Sequence, residues 1–77
     1  MFLEIITPDK KIFSGEVVSV QVPGTQGSFQ VLDNHAPIIS TLAGGKVKVK
    51  DKQGSKSFDV KGGVIEVLKN KVVVLAE

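Results

Sequence analysis

Apolar residues recur at every second position along much of the chain, in short runs separated by turn-forming residues. Period-two alternation marks a strand with one buried face, since successive side chains leave a strand on opposite sides. Nine runs read this way: Phe2–Thr7, Lys10–Phe13, Glu16–Val22, Ser28–Leu32, Ile38–Leu42, Lys46–Lys50, Lys56–Lys61, Val64–Leu68 and Lys71–Ala76. Between them stand Pro8-Asp9, Ser14-Gly15, Pro23 to Gly27, Asp33 to Pro37, Ala43-Gly44-Gly45, a hairpin turn around Gly54, Gly62-Gly63 and Lys69-Asn70. No window of helical period is long enough to compete. Many short strands with regular turn signals predict an all-β sandwich or barrel.

The phase of the alternation predicts which side chains face inward. Val18, Val20, Val22, Phe29, Val31, Val47, Val49, Phe58, Val60, Ile65, Val67, Val73 and Leu75 are expected in the core. The unbroken apolar run Val72–Leu75 suggests a strand covered on both faces.

Composition narrows the class. At 77 residues the chain has room for one domain, 1–77, with a thin core. A hydrophobic fraction of 42% is too high for a disordered chain. No apolar run approaches the roughly 20 residues of a membrane span, and Met1-Phe2-Leu3-Glu4 lacks the look of a signal or transit peptide. A soluble protein without direct membrane insertion is the expectation. With no cysteine there is no disulfide and no thiolate metal site. The net charge is +2, and all ten basic residues are lysine. Without arginine, tyrosine or tryptophan the chain lacks base-reading forks and stacking platforms, so no nucleic-acid partner is expected.

Catalytic chemistry finds little to stand on. His35 is the only histidine, with Asp33 two residues away in the same loop. A triad or a metal centre needs companions that the chain does not offer, so a structural or contact role is the better reading for His35. The glycines at 24, 27, 44, 45, 62 and 63 are followed by no helix, so they read as turns rather than phosphate cradles. No cofactor, no metal and no tight ATP binding are expected. Lys46, Lys48, Lys50 and Lys52 recur at period two. They read as a solvated face or as a charged edge that resists strand addition, rather than as a stripe for acidic lipid or nucleic acid. Loops on a rigid sheet are the usual place for recognition, which singles out Gly24–Gly27 and Asp33–Pro37.

An ordered set of short motifs spans the whole chain: Phe13-Ser14-Gly15, Val20-Gln21-Val22-Pro23-Gly24, Gly27, His35-Ala36-Pro37, Gly62-Gly63-Val64-Ile65-Glu66-Val67 and the closing Val72–Ala76. In this order and spacing they resemble the epsilon subunit of F-type ATP synthase. The resemblance implies a flattened two-sheet β-sandwich of about nine to ten short strands. It implies a non-catalytic central-stalk subunit that binds the gamma subunit and rests on the c-ring, on the cytoplasmic face of the bacterial inner membrane. It also implies that one end loop, carrying Gly27, Ser28, Asp33, Asn34, His35, Ala36 and Pro37, meets the rest of the synthase. Ser28 stands where many relatives have an acid, and Gln30 where they have glycine. The family commonly continues into a C-terminal helical hairpin, whereas this chain stops at Glu77, as a naturally short form or a shortened piece.

A second reading is a free-standing carrier or ligand-binding β domain. Biotinyl and lipoyl carriers show one lysine at a hairpin tip, and Lys69 beside Asn70 is the nearest match.

Overall fold

The computed structural model describes all residues from Met1 to Glu77 and contains strands and turns only. The strands are β1 (Phe2–Ile6), β2 (Lys11–Glu16), β3 (Ser19–Gly24), β4 (Gly27–Leu32), β5 (Ile38–Leu42), β6 (Gly45–Asp51), β7 (Gly54–Val60), β8 (Gly63–Leu68) and β9 (Lys71–Ala76). They form one curled sheet in the order β2-β1-β9-β8-β5-β3-β6-β7, with β4 on the free side of β3. The link between β5 and β3 is a single pair, Leu42 with Gly24. The sheet therefore works as two layers, β2-β1-β9-β8-β5 and β4-β3-β6-β7, sharing one corner.

The β1–β9 pair is parallel, and every other pair is antiparallel, including the single β3–β5 bridge where the two layers meet. Strand reversal also sorts the loops into two ends. One end holds Met1, the β2–β3 corner, the β4–β5 loop, the β6–β7 turn and the β8–β9 turn. The other holds the β1–β2, β3–β4, β5–β6 and β7–β8 connections together with Glu77.

Sixteen apolar residues are buried between the layers, among them Leu3, Ile5, Val20, Val31, Val47, Ile65, Val72 and Val74. Each fully buried aliphatic side chain of this size contributes about 1.5–3 kcal/mol. Phe29 and Phe58 pack against this core half-buried.

Three inward expectations are corrected. Val18 and Leu75 lie outside, 50% and 53% exposed, and Val73 faces outward half-buried. In β9 every position from 72 to 75 is apolar, so alternation carries no phase there. The phase comes from pairing: Val72 and Val74 stand beside Leu3 and Ile5 of β1 and beside Val67 and Ile65 of β8. One face of β9 is thus buried and the other is open, not covered on both sides. At Val18 the chain changes layers. The Val17 amide bonds the Met1 carbonyl, and the next amide, of Val18, bonds the Lys50 carbonyl in the other layer. The strand expected over Glu16–Val22 breaks at this corner, and Val17 is buried instead.

Ser14-Gly15 is not a turn. Both residues stay in β2, opposite Glu4 and Leu3. The lysine row also corrects an expectation: β6 is paired on both sides, by β3 and β7, and is no sheet edge.

Candidate partner-binding site

The residues singled out in sequence do not form one loop. Gly27 and Ser28 begin β4, opposite Gly24 and Pro23, while Asp33–Pro37 follows its other end, where Leu32 pairs with Ser19. A strand rises about 3.3 Å per residue, so β4 holds the two groups roughly 17 Å apart, at opposite ends of the sandwich. This overturns the expectation of a single end loop.

The β3–β4 tip is compact. Gly24 lies so close to its partner strand that a Cβ there would come within 2.6 Å of the Gly27 carbonyl and 2.9 Å of the Phe29 ring. Thr25 ties the tip to β5: its amide reaches the Thr41 carbonyl at 3.2 Å, and the two hydroxyls lie 2.8 Å apart. Ser28 accepts a hydrogen bond from the Gln21 side chain at 3.3 Å and is exposed.

The other group is a turn docked at the opposite end. The His35 amide bonds the Leu32 carbonyl at 3.2 Å, closing a four-residue turn in which Asn34 takes a φ of 60°. Positive φ at the third position is tolerated by Asn because its short side chain bonds locally. The Asn34 amide donates to Asn70 Oδ1 at 2.8 Å, and the Asn70 carbonyl accepts from the Phe2 amide at 3.2 Å. Lys69 and Asn70 both have positive φ, 50° and 61°, as a two-residue type I′ hairpin requires. The carrier-like tip at Lys69 is therefore packed against the β4–β5 loop through Asn70 rather than projecting freely.

Asp33 and His35 face different partners. The Asp33 carboxylate accepts from the Met1 amino group at 2.8 Å, with Glu16 at 3.5 Å on the same amine. That hydrogen bond from the amine holds the Asp33 carboxyl below the ordinary range. Reciprocally, the bond to Asp33 raises the Met1 amine, against the opposing effect of its burial. His35 instead donates from Nδ1 to the Ala36 carbonyl at 2.7 Å. The two side chains thus form no nucleophile–base pair, and nowhere do three His, Asp or Glu side chains converge as a metal site would need.

A larger feature lies beside Pro37. On the outer face of the β5-β8-β9-β1 layer, Ile39 is 73% exposed, with Leu68 at 48% and Leu75 at 53%. The register joins them into one surface. Leu75 stands between Val64 and Ile6, Val73 between Glu66 and Glu4, and Ile39 opposite Glu66. Val64, Val73, Phe2 and Ile6 are half-buried on the same face. Glu4 is the buttressed charge within it, held by Lys11 at 2.9 Å and Lys71 at 3.5 Å, and Lys11 leads in lowering its carboxyl. The open face of an antiparallel sheet is normally polar, so an outer face this apolar, crossed by the exposed Glu66 between Ile39 and Val73, is a candidate interface. The sequence carried its signal in consecutive apolar pairs, Ile38-Ile39, Val64-Ile65 and Val72–Leu75, which place apolar groups on both faces of a strand.

The chain matches the family described as ATP synthase, Delta/Epsilon chain, beta-sandwich domain, over residues 1–77. It is 46% identical over 77 residues to the ATP synthase epsilon chain of Caulobacter vibrioides, covering 100% of this chain and 90% of that one. Against the epsilon chain of Chlorobium limicola the identity is 46% over 76 residues, covering 97% and 86%. The Maridesulfovibrio salexigens epsilon chain is 43% identical across 100% of this chain but only 54% of its own length, so relatives are both short and long. In fold the chain is similar to one from the Euglena gracilis mitochondrial ATP synthase, with a TM-score of 0.89 at 23% identity, covering 96% of this chain and 48% of that one. A chain of the Tetrahymena thermophila mitochondrial ATP synthase central stalk and c-ring gives 0.84 at 17%, covering 97% and 61%. The chain belongs to the ATP synthase delta/epsilon family, and its curled nine-stranded sheet is that family's β-sandwich.

Proposed function

We propose that this chain is a non-catalytic subunit of the central stalk of a rotary ATP synthase, docked on the gamma subunit and seated on the c-ring. The observation that carries the reading is the apolar outer face built around Ile39, Leu68 and Leu75. Burying such a face contributes about 25 cal/mol per Å² of apolar area, which suits a durable contact between subunits rather than a catalytic cleft. Pro37 continues the face into the Asp33–Pro37 loop, so loop and face meet the gamma subunit together. Gly27 and Ser28, at the far end of β4, meet the c-ring. A rigid body gripped at two points passes torque from ring to stalk without any chemistry of its own. Residues 1–77 act as one domain, peripheral on the cytoplasmic side of the bacterial inner membrane, and the chain has no tight site for ATP.

The test is capture of the tagged chain from membranes of its source, in detergent that preserves the synthase. Co-purification of alpha, beta and gamma subunits is the expected result. Recovery of the chain alone, or with a mass adduct on a lysine, overturns the reading.

A further inference from the structure

We propose that the outer face of the β4-β3-β6-β7 layer is a second docking surface, which takes an acidic helical segment of a partner protein across Lys48 and Lys50. This face lies on the opposite layer from the apolar one, and the proposal does not depend on how the apolar face is used.

Charge is unevenly spread along this chain. Six of its ten lysines lie between Lys46 and Lys61, and the only acids in that stretch are Asp51 and Asp59. The register sets Lys46, Lys48 and Lys50 in a single outward row down β6. Asp59 holds Lys46 at 2.8 Å, and Asp51 is engaged by Lys56 at 3.9 Å. Lys48 and Lys50 are left without an ion-pair partner. Lysines often guard a sheet edge against strand addition. That role does not apply, because β6 is hydrogen-bonded to β3 and β7 on its two sides.

The surroundings are shaped for a ligand. Lys48 stands between Gln21 and Ser57, and Lys50 between Ser19 and Ser55. These short polar neighbours, with Gln30 beyond Gln21, leave a shallow depression of about 420 Å³ along the lysine row. At one corner stand Leu32 and Val18, 53% and 50% exposed. Successive outward lysines are about 7 Å apart along a strand. Carboxylates one helical turn apart rise about 6 Å, so a helix with acids at every fourth position matches the row. An apolar residue beside those acids would reach Leu32. A flat anionic bilayer fits less well, because the lysines line a concavity and the apolar residues sit at one corner only.

The isotopically labelled chain, followed through its amide resonances, tests this. The probe is a synthetic peptide of about 20 residues, long enough to be helical, with glutamate at every fourth position and leucine beside it. Its glutamine counterpart and vesicles of phosphatidylglycerol serve as comparisons. Shifts confined to this outer face, at Ser19, Gln21, Leu32, Lys48, Lys50 and Ser57, are expected. Affinity should fall about tenfold or more when salt rises from roughly 0.05 M to roughly 0.5 M, as the screening length shortens. Lys48→Gln with Lys50→Gln should weaken binding by a similar factor, whereas Lys10→Gln with Lys69→Gln should leave it within about twofold. Absence of shifts overturns the proposal. So do shifts spread over all the lysines, equal binding of the glutamine peptide, or binding to the vesicles in place of the peptide.

Discussion

The rings of Phe13 and Phe58 meet with centroids 5.6 Å apart, tilted by 57°. Phe13 belongs to β2 and Phe58 to β7, the two terminal strands of the curled sheet, so this contact closes the sandwich where no backbone ladder does. Lys56 covers the outside of the pair, with Nζ 5.5 Å from the Phe13 centroid. A fully buried Phe→Ala typically costs about 3–5 kcal/mol, and Phe58 is half-buried. Phe58→Ala should therefore cost about 2–3 kcal/mol in urea unfolding. The double variant with Phe13→Ala should fall short of additivity by about 0.5–1.5 kcal/mol, the usual coupling of an aromatic pair. Strict additivity would mean that the contact does not close the seam.

The apolar outer face predicts a split between stability and assembly. Ile39 is 73% exposed, so Ile39→Lys should change the unfolding free energy of the isolated chain by no more than about 0.5 kcal/mol. Retention of the variant in the detergent-extracted synthase should drop sharply, because a lysine would be buried against the partner. His35→Ala should behave in the same way, more mildly, if the β4–β5 loop is part of the contact. Wild-type assembly and coupling of proton flow with either variant would remove that residue from the interface.

The amine of Met1 and the carboxylate of Asp33 predict a stability plateau with two limbs. The amine is raised above its ordinary 8.0 in the folded chain, so its contribution is complete below about pH 8 and is lost as pH climbs through the raised value. Asp33 and Glu4 are lowered, so their contributions are complete above the ordinary carboxylate range near pH 4 and are lost on further acidification. Denaturation midpoints should be flat between these limits and fall on both sides. Asp33→Asn should flatten the alkaline limb; an unchanged alkaline limb would show that the pair contributes nothing.

Gly63 has a φ of +146°, and a Cβ there would run into the Leu75 carbonyl of the neighbouring strand. The β8–β9 ladder would have to part for any side chain. Gly63→Ala should cost at least about 2 kcal/mol. Gly44→Ala, where the nearest atom lies at 3.4 Å, should cost less than about 1 kcal/mol. Similar midpoints for the two variants would contradict the geometry.

The alternation by itself determined where most strands run and, where polar residues interrupt the apolar ones and the strand keeps to one layer, which face is buried; Val18, at the corner between layers, lost its phase. Val20, Val22, Val31, Val47, Val49, Ile65 and Val67 lie inside as their phase requires. The ordered motifs likewise identified the family. What only the tertiary structure decided is whatever depends on neighbours distant in sequence. Val72–Leu75 has no phase until Leu3, Ile5, Ile65 and Val67 pair with it. The placing of Gly27 and Asp33 at opposite ends follows from β4 running unbroken between them. The lysine row gained its meaning when β3 and β7 closed on both sides of β6, and the apolar face when β5, β8, β9 and β1 came side by side. A strand's period is local, because Cβ atoms alternate along any extended chain; a surface is not, because it is assembled across strands by register.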